Sequence, residues 1–107
     1  MKKYLIKASY SPNGFKGLSE DGGSKRKLAI EKMLEGLGGK MESFYFAFGE
    51  HDVYVISELP DDISAAAIGL KINSSGLASV STTVLLTPED IDLASKKSVN
   101  YRAPGEK

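Results

Sequence analysis

His51 is the only histidine in the chain. It is also the only side chain whose unperturbed pKa lies near neutrality, so acid–base chemistry would fall to it first. It sits in Gly49-Glu50-His51-Asp52, a polar break between the aromatic run Phe44–Phe48 and the run Val53–Ile56. Asp52 would orient the imidazole only if the turn bends both side chains the same way. An aspartate in a turn otherwise accepts hydrogen bonds from nearby backbone N–H groups. Tyr10 and Tyr54 are the phenols that could assist His51 in a proton transfer. A second chemistry is anion binding. A helix starting near Ser24 would present free N–H groups and partial positive charge beside Lys25 and Arg26, which suits a carboxylate or another anion. The candidate catalytic group is therefore His51, and the candidate ligand contacts are Tyr10, Asn13, Ser24, Lys25, Glu50, Asp52 and Tyr54. Against both stand plain structural readings: a solvated hairpin histidine, and a helix N-terminus like any other.

Other chemistries find no support in the sequence. The absence of cysteine removes thiolate catalysis, disulfides and sulfur-ligated metals. The acidic pairs Glu20/Asp21, Asp61/Asp62 and Glu89/Asp90 stand at expected helix starts, where capping accounts for them, so no metal site is expected. No P-loop, dinucleotide fingerprint or nucleophile elbow is present, and no cofactor is expected. Fourteen basic residues balance fourteen acidic ones, which gives no field to draw nucleic acid or an anionic membrane. Lys25-Arg26-Lys27 reads as a solvated helix face. No apolar run approaches the roughly 20 residues of a membrane span. Met1-Lys2-Lys3 is followed by Lys7 and Ser9 rather than by the apolar core of a secretion signal, so a cytoplasmic protein is expected.

The elements that must position these residues follow from periodicity. Tyr4–Tyr10 alternates, with Tyr4, Ile6, Ala8 and Tyr10 on one face, and reads as a strand. Ser11-Pro12-Asn13-Gly14 reads as a turn opening a long loop to Gly23. From Ser24 to Leu37 the apolar residues Ile30, Met33, Leu34 and Leu37 follow a helical period. The N-cap is open among Ser19, Asp21 and Ser24, and Gly38-Gly39 is the stop. Lys40–Phe48 and Val53–Leu59 read as strands joined by the hairpin, in which Gly49 is expected to take positive φ. A second helix starts at Pro60-Asp61-Asp62, with Ile63, Ala66, Ala67 and Leu70 as the small-residue stripe expected to face a sheet. Leu77–Thr87 alternates as a fourth strand, and Pro88-Glu89-Asp90 opens a short helix to about Lys97. One domain spans residues 1–97, and residues 98–107 form a polar tail.

The order βαββαβ predicts an α+β, ferredoxin-like domain. Its four-stranded antiparallel sheet has the first and third strands in the centre and both main helices on one face. The top of that sheet would collect Tyr10, the 13–23 segment, the start of the first main helix, the 49–52 hairpin and the 74–77 turn. Both faces of every strand carry apolar residues, as in Leu5 and Ile6, Tyr45 and Phe46, Val55 and Ile56, Val84 and Leu85. A bare second face would be an exposed apolar patch, and the simplest cover is a second copy of the same sheet. The expectation is a homodimer with sheets face to face, or a higher homo-oligomer built on it. The tail is expected either to cross a neighbouring subunit or to be disordered. The alternative is a monomer with the last helix and tail folded over the face.

The chain resembles the GYD domain family of small proteins with the dimeric α+β barrel fold. The stretches that carry the resemblance are Leu34-Glu35-Gly36-Leu37-Gly38-Gly39-Lys40, Phe44–Asp52, Pro60-Asp61-Asp62 and Ser81-Thr82-Thr83. Gly49 and Asp52 match the family's eponymous glycine and aspartate, and His51 stands where its tyrosine is usual. The resemblance implies the fold and a dimer, and no common activity. Three functions are compatible with these observations. The first is a small-molecule-binding oligomer with its ligand between the sheet and the first main helix. The second is a cofactor-free monooxygenase- or isomerase-like enzyme using His51. The third is a structural assembly module.

Overall fold

The computed structural model describes residues 1–107. The elements are β1 (Lys2–Tyr10), α1 (Pro12–Asp21), α2 (Gly23–Gly36), β2 (Lys40–Phe46), β3 (Val53–Leu59), α3 (Asp62–Ser75), β4 (Ala78–Leu85) and α4 (Pro88–Ser95). The sheet order is β2-β3-β1-β4, with every neighbouring pair antiparallel. The ferredoxin-like α+β arrangement and the central position of the first and third strands are therefore as expected.

Register decides the two faces. Tyr4, Ile6, Ala8 and Tyr10 of β1 lie beside Ser57, Val55 and Val53 of β3 and Val84, Val80 and Ala78 of β4, on the side that α2 and α3 cover. The core is Tyr4, Ile6, Leu34, Val53, Val55, Leu59, Ala65 and Ile68. The opposite face carries Lys3, Leu5, Lys7 and Ser9 of β1 beside Ile56 and Tyr54 of β3 and Leu85, Thr83, Ser81 and Ser79 of β4. Tyr45 of β2 pairs with Tyr54 there. No helix covers this open face, which mixes apolar, aromatic and short polar side chains.

The expected long loop is instead a helix. Ser11 is the N-cap of α1, its side chain accepting from Gly14 N–H at 3.2 Å, and Pro12 occupies the first turn. Ser-Pro therefore initiates a helix here, where proline's fixed φ and missing N–H are no burden. Ser11 N–H donates to Leu77 O at 3.0 Å. A Cβ on Gly14 would overlap that same carbonyl, so glycine lets α1 lie against the 76–77 turn. None of Ser19, Asp21 and Ser24 caps α2; Gly22, at φ 81°, does. Gly38, at φ 79°, stands just past the end of α2 as the expected glycine stop, and Gly76 is the left-handed C-cap of α3. Gly49 does not adopt positive φ. The strands around the hairpin stop earlier than alternation suggests, at Phe46 rather than Phe48, and β4 begins at Ala78 and ends at Leu85.

α3 also corrects the sequence reading. Ile63 and Leu70 are 80% and 75% exposed, whereas Ala65 and Ile68 are buried and Ile72 packs against the core. The stripe Ile63/Ala66/Ala67/Leu70 faces outward because α3 is apolar on both sides, so periodicity cannot choose between them. Its start is fixed by Asp61, whose carboxylate accepts from Ser64 N–H at 2.8 Å, and by Asp62. Buried Tyr4 donates its hydroxyl to Asp62 Oδ1 at 2.6 Å, and Lys2 reaches Oδ2 at 3.0 Å. This pins the start of β1 to the first turn of α3.

The body leaves α4 outside. No residue of α4 is buried, and Leu93 and Tyr101 are 63% and 71% exposed. The molecule measures 61 × 31 × 23 Å with a radius of gyration of 17.4 Å, against about 13 Å for a compact chain of this length.

Two stability predictions follow from this packing. Ile68→Ala should cost about 2–5 kcal/mol in denaturant unfolding, and Ile63→Ala within about 0.5 kcal/mol, reversing the order that the outward stripe would give. Burial and then the Asp62 contact push the Tyr4 phenol from 10.0 to about 12. Its contribution is thus complete below pH 10 and lost as pH rises from 10 to 12. The Tyr4 hydroxyl, then Lys2, holds the Asp62 carboxyl below its ordinary range, and the Ser64 N–H does the same for Asp61. Their contributions are present above that range and lost as pH falls from it through the lowered folded-state values. Thermal melts of Tyr4→Phe should lose the pH 10–12 component and soften the acid one.

Candidate functional site

The upper end of the sheet, where β1 ends and β3 begins, carries most of the chemistry-bearing side chains. Asp52 holds this end together. Its Oδ2 accepts from Tyr10 N–H at 2.8 Å, and its own N–H donates to Ala8 O at 2.8 Å. Ala47 N–H donates to Asp52 O at 2.9 Å. The Asp52 carboxylate therefore bonds to a strand 42 residues away rather than to its own turn, while its backbone closes the hairpin and extends the β1–β3 ladder past Val53.

His51 points the other way. Its Nδ1 lies 3.3 Å from Ser9 Oγ, and its ring meets Tyr54 edge-on at 6.0 Å. Which atom donates in the Ser9 bond follows from the imidazole tautomer. Ser9 and Tyr54 belong to the open face, so His51 does too. His51 and Asp52 share no hydrogen bond; adjacent residues diverge because one continues the ladder and the other turns onto the open face. A His–Asp pair of the triad kind is absent.

On the helix side three concavities lie near the same end. A cavity of about 30 Å³ sits between the sheet and helices α2 and α3, lined by Ile6, Ile30, Met33, Phe44, Ile72 and Val80 among others, with Arg26 as its charged member. Beside it a cleft of about 330 Å³ opens between α1, the start of α2 and the end of α3, lined by Tyr10, Asn13, Asp21, Arg26, Lys71 and Ser75 among others. Tyr10 and Arg26 border both. The Tyr10 ring packs on Phe15 of α1 at 5.4 Å. A third groove, of about 360 Å³, runs outside the hairpin between Phe15, Leu18, Phe46 and Phe48.

The structure divides the sequence-derived site residues. Tyr10 and Asn13 come together in the helix-side cleft. His51 and Tyr54 come together on the open face. Asp52 bridges the two sides as a structural tie. Ser24, Lys25 and Glu50 are exposed and line neither the cleft nor the cavity.

In the sequence Arg26 stands beside the expected anion site with Lys25, but it also reads as part of a solvated run and is not among the candidate ligand contacts. It is only partly exposed, unlike Lys25 and Lys27. Its Nε is buried without a hydrogen-bond partner, and it enters none of the three ion pairs. A buried donor left unpaired costs about 1–3 kcal/mol, and a guanidinium cannot relieve this by losing its proton. The available signal was spacing: Arg26 lies four residues before Ile30 and seven before Met33, on the inner stripe.

A small α+β domain with a split βαββαβ core and a preformed cleft under its helices is thus defined. A family model described as the GYD domain matches residues 4–94, and the chain belongs to the GYD domain family. No curated protein and no solved structure matches it.

Replacing Asp52 should separate its structural role from any chemistry at His51. Asp52→Ala is expected to lower stability by about 1–2 kcal/mol in urea unfolding, because the Tyr10 N–H loses its acceptor. Asp52→Asn, which keeps an oxygen there, should lose about half as much. His51→Ala should change stability by less than about 0.5 kcal/mol.

Proposed function

We infer that the protein is a small-molecule-binding homo-oligomer built on a dimer, with its ligand in the helix-side cleft. The observation that carries the binding reading is the cleft itself. It is a concavity in the size range of small-ligand sites, shares Tyr10, Arg26, Ile72 and Ala78 with the neighbouring apolar cavity and is lined by a few polar groups.

The oligomer rests on two features of the surface. The open sheet face presents Leu5, Tyr45, Tyr54, Ile56 and Leu85 with nothing over them. At its lower end Lys3, Glu58 and Leu85 form one groove of about 680 Å³ with Leu93, Ala94 and Lys97 of α4. The sheet and α4 are therefore two walls of one notch. An eight-residue helix is too short to persist alone in water, where about 12–15 residues are needed even for good formers. The capping box of Thr87 and Asp90 sets where α4 starts, but a cap does not replace packing. A second copy seated in the notch supplies what both walls lack.

A second reading has one observation in its favour. Ser9, His51 and Tyr54 meet on the open face, which the dimer would enclose. A cofactor-free monooxygenase- or isomerase-like enzyme would use His51 there as its proton-transfer group, with Tyr54 assisting.

Native mass spectrometry, run gently and then under denaturing conditions, tests the first reading. A dimer or a multiple of it with extra, releasable mass is the expected result. A bare oligomer would shift weight to an assembly module, and a monomer at micromolar concentration would end the dimer. Removing residues 88–107 should raise the dissociation constant at least tenfold in sedimentation equilibrium while leaving the far-ultraviolet spectrum of the sheet intact.

A further inference from the structure

We propose that Arg26 anchors the carboxylate of a small monocarboxylic acid whose apolar substituent enters the cavity beneath α2 and α3. This rests on the small-molecule-binding reading and gives the ligand a chemical class.

Arg26 stands where the two spaces meet, the apolar cavity on one side and the polar cleft on the other. Twelve of the thirteen residues around the cavity are hydrophobic, and apolar cavities of this kind stay dry. At about 30 Å³ it takes a group no larger than one or two waters, which in an apolar wall means a methyl- or ethyl-sized branch. The guanidinium is permanently charged, has a buried Nε–H without an acceptor and has no carboxylate partner in the chain. Because this Nε is closed off from solvent, the guanidinium turns toward the cleft for a planar carboxylate to meet its Nε–Nη edge with two parallel hydrogen bonds.

The rest of the cleft argues for a single negative charge. Arg26 and Lys71 are its cations and Asp21 its anion, so a monoanion leaves the lined cleft neutral. A phosphate dianion would leave it negative beside Asp21. Asn13 and Ser75 stand at the rim, where they suit a hydroxyl or carbonyl elsewhere on the acid. The bland occupant is a water on Nε, which would satisfy one donor and show no preference for acids.

The test is an NMR titration of the intact protein labelled at arginine side chains, with acetate, propionate, isobutyrate and benzoate as probes. Isobutyramide and inorganic phosphate serve as controls. The Arg26 Nε–H resonance should move downfield with the acids. Affinity should rise from acetate to propionate, level off at isobutyrate and fall at benzoate, whose ring exceeds the cavity, and the amide and phosphate should bind at least tenfold more weakly. Arg26→Met should remove the response to acids and raise the melting temperature of the free protein, since the unpaired donor goes with it. Arg26→Lys should bind acids more weakly than the parent. If no acid moves the Arg26 resonance, or if Arg26→Met binds isobutyrate as the parent does, the proposal is overturned. Binding of the amide in the cleft irrespective of Arg26 would overturn the acid class and leave the small-molecule reading standing. A protein that purifies without releasable mass and responds to no probe would remove both.

Discussion

A four-stranded sheet has two faces, and this chain carries helices for only one of them. The remaining structure follows from how that shortfall is handled. On the covered side Tyr4, Ile6, Val53, Val55 and Leu59 meet Leu34, Ala65 and Ile68 in a core that is small but continuous. On the bare side the strands do not turn fully polar, as a solvated antiparallel sheet would. Leu5 sits beside Ile56, and Tyr45 beside Tyr54. The last helix is not spent on covering them. It runs on from β4 at the lower end of the sheet with no buried residue, in a molecule 61 Å long.

The same division separates the chemistry at the upper end. Alternation along β1 sends Ser9 to the bare side and Tyr10 to the covered side, and the hairpin repeats the choice with His51 and Asp52. One sheet edge therefore serves two environments. The bare side holds an imidazole, a hydroxyl and a phenol. The covered side holds a cleft with an arginine that has no counter-ion. Asp52 is spent on the backbone of β1, which fixes the hairpin and leaves His51 without an acidic partner.

Much of the fold was legible in the sequence because strand alternation and glycine stops are local. β3 was placed to the residue, and the helix from Asp62 was found through its capping aspartate. The errors have physical causes. Ser-Pro-Asn-Gly carries the chemistry of a turn and of a helix start alike, and only contact with Leu77 O decides between them. α3 is apolar on both sides, so its buried stripe is chosen by the sheet below it. Gly49 looked like a positive-φ residue because hairpins so often need one, but six residues separate β2 from β3, and a loop that long turns without it. At the site, residue type found Tyr10, Asn13, His51 and Tyr54, yet could not tell that they face opposite sides. Arg26 stands with Lys25 near the expected anion site, but between two lysines it also reads as part of a wet charge run, and only its phase on α2 distinguishes it.

Because β1 lies in the middle of the sheet but is made before the other three strands, its pairing is deferred. One neighbour, β3, begins about fifty residues later, and the other, β4, nearly eighty. Until then a strand with Tyr4, Ile6 and Leu5 on its two sides has no lateral partner. Contacts between residues so distant in sequence slow folding and lengthen the exposure of apolar segments. Until β3 is made, local structure offers only α1 and α2, with β2 still unpaired. The alternating lysines Lys3 and Lys7 place charge along β1 throughout, a gatekeeper pattern that discourages a nascent strand from pairing with its neighbours on other chains.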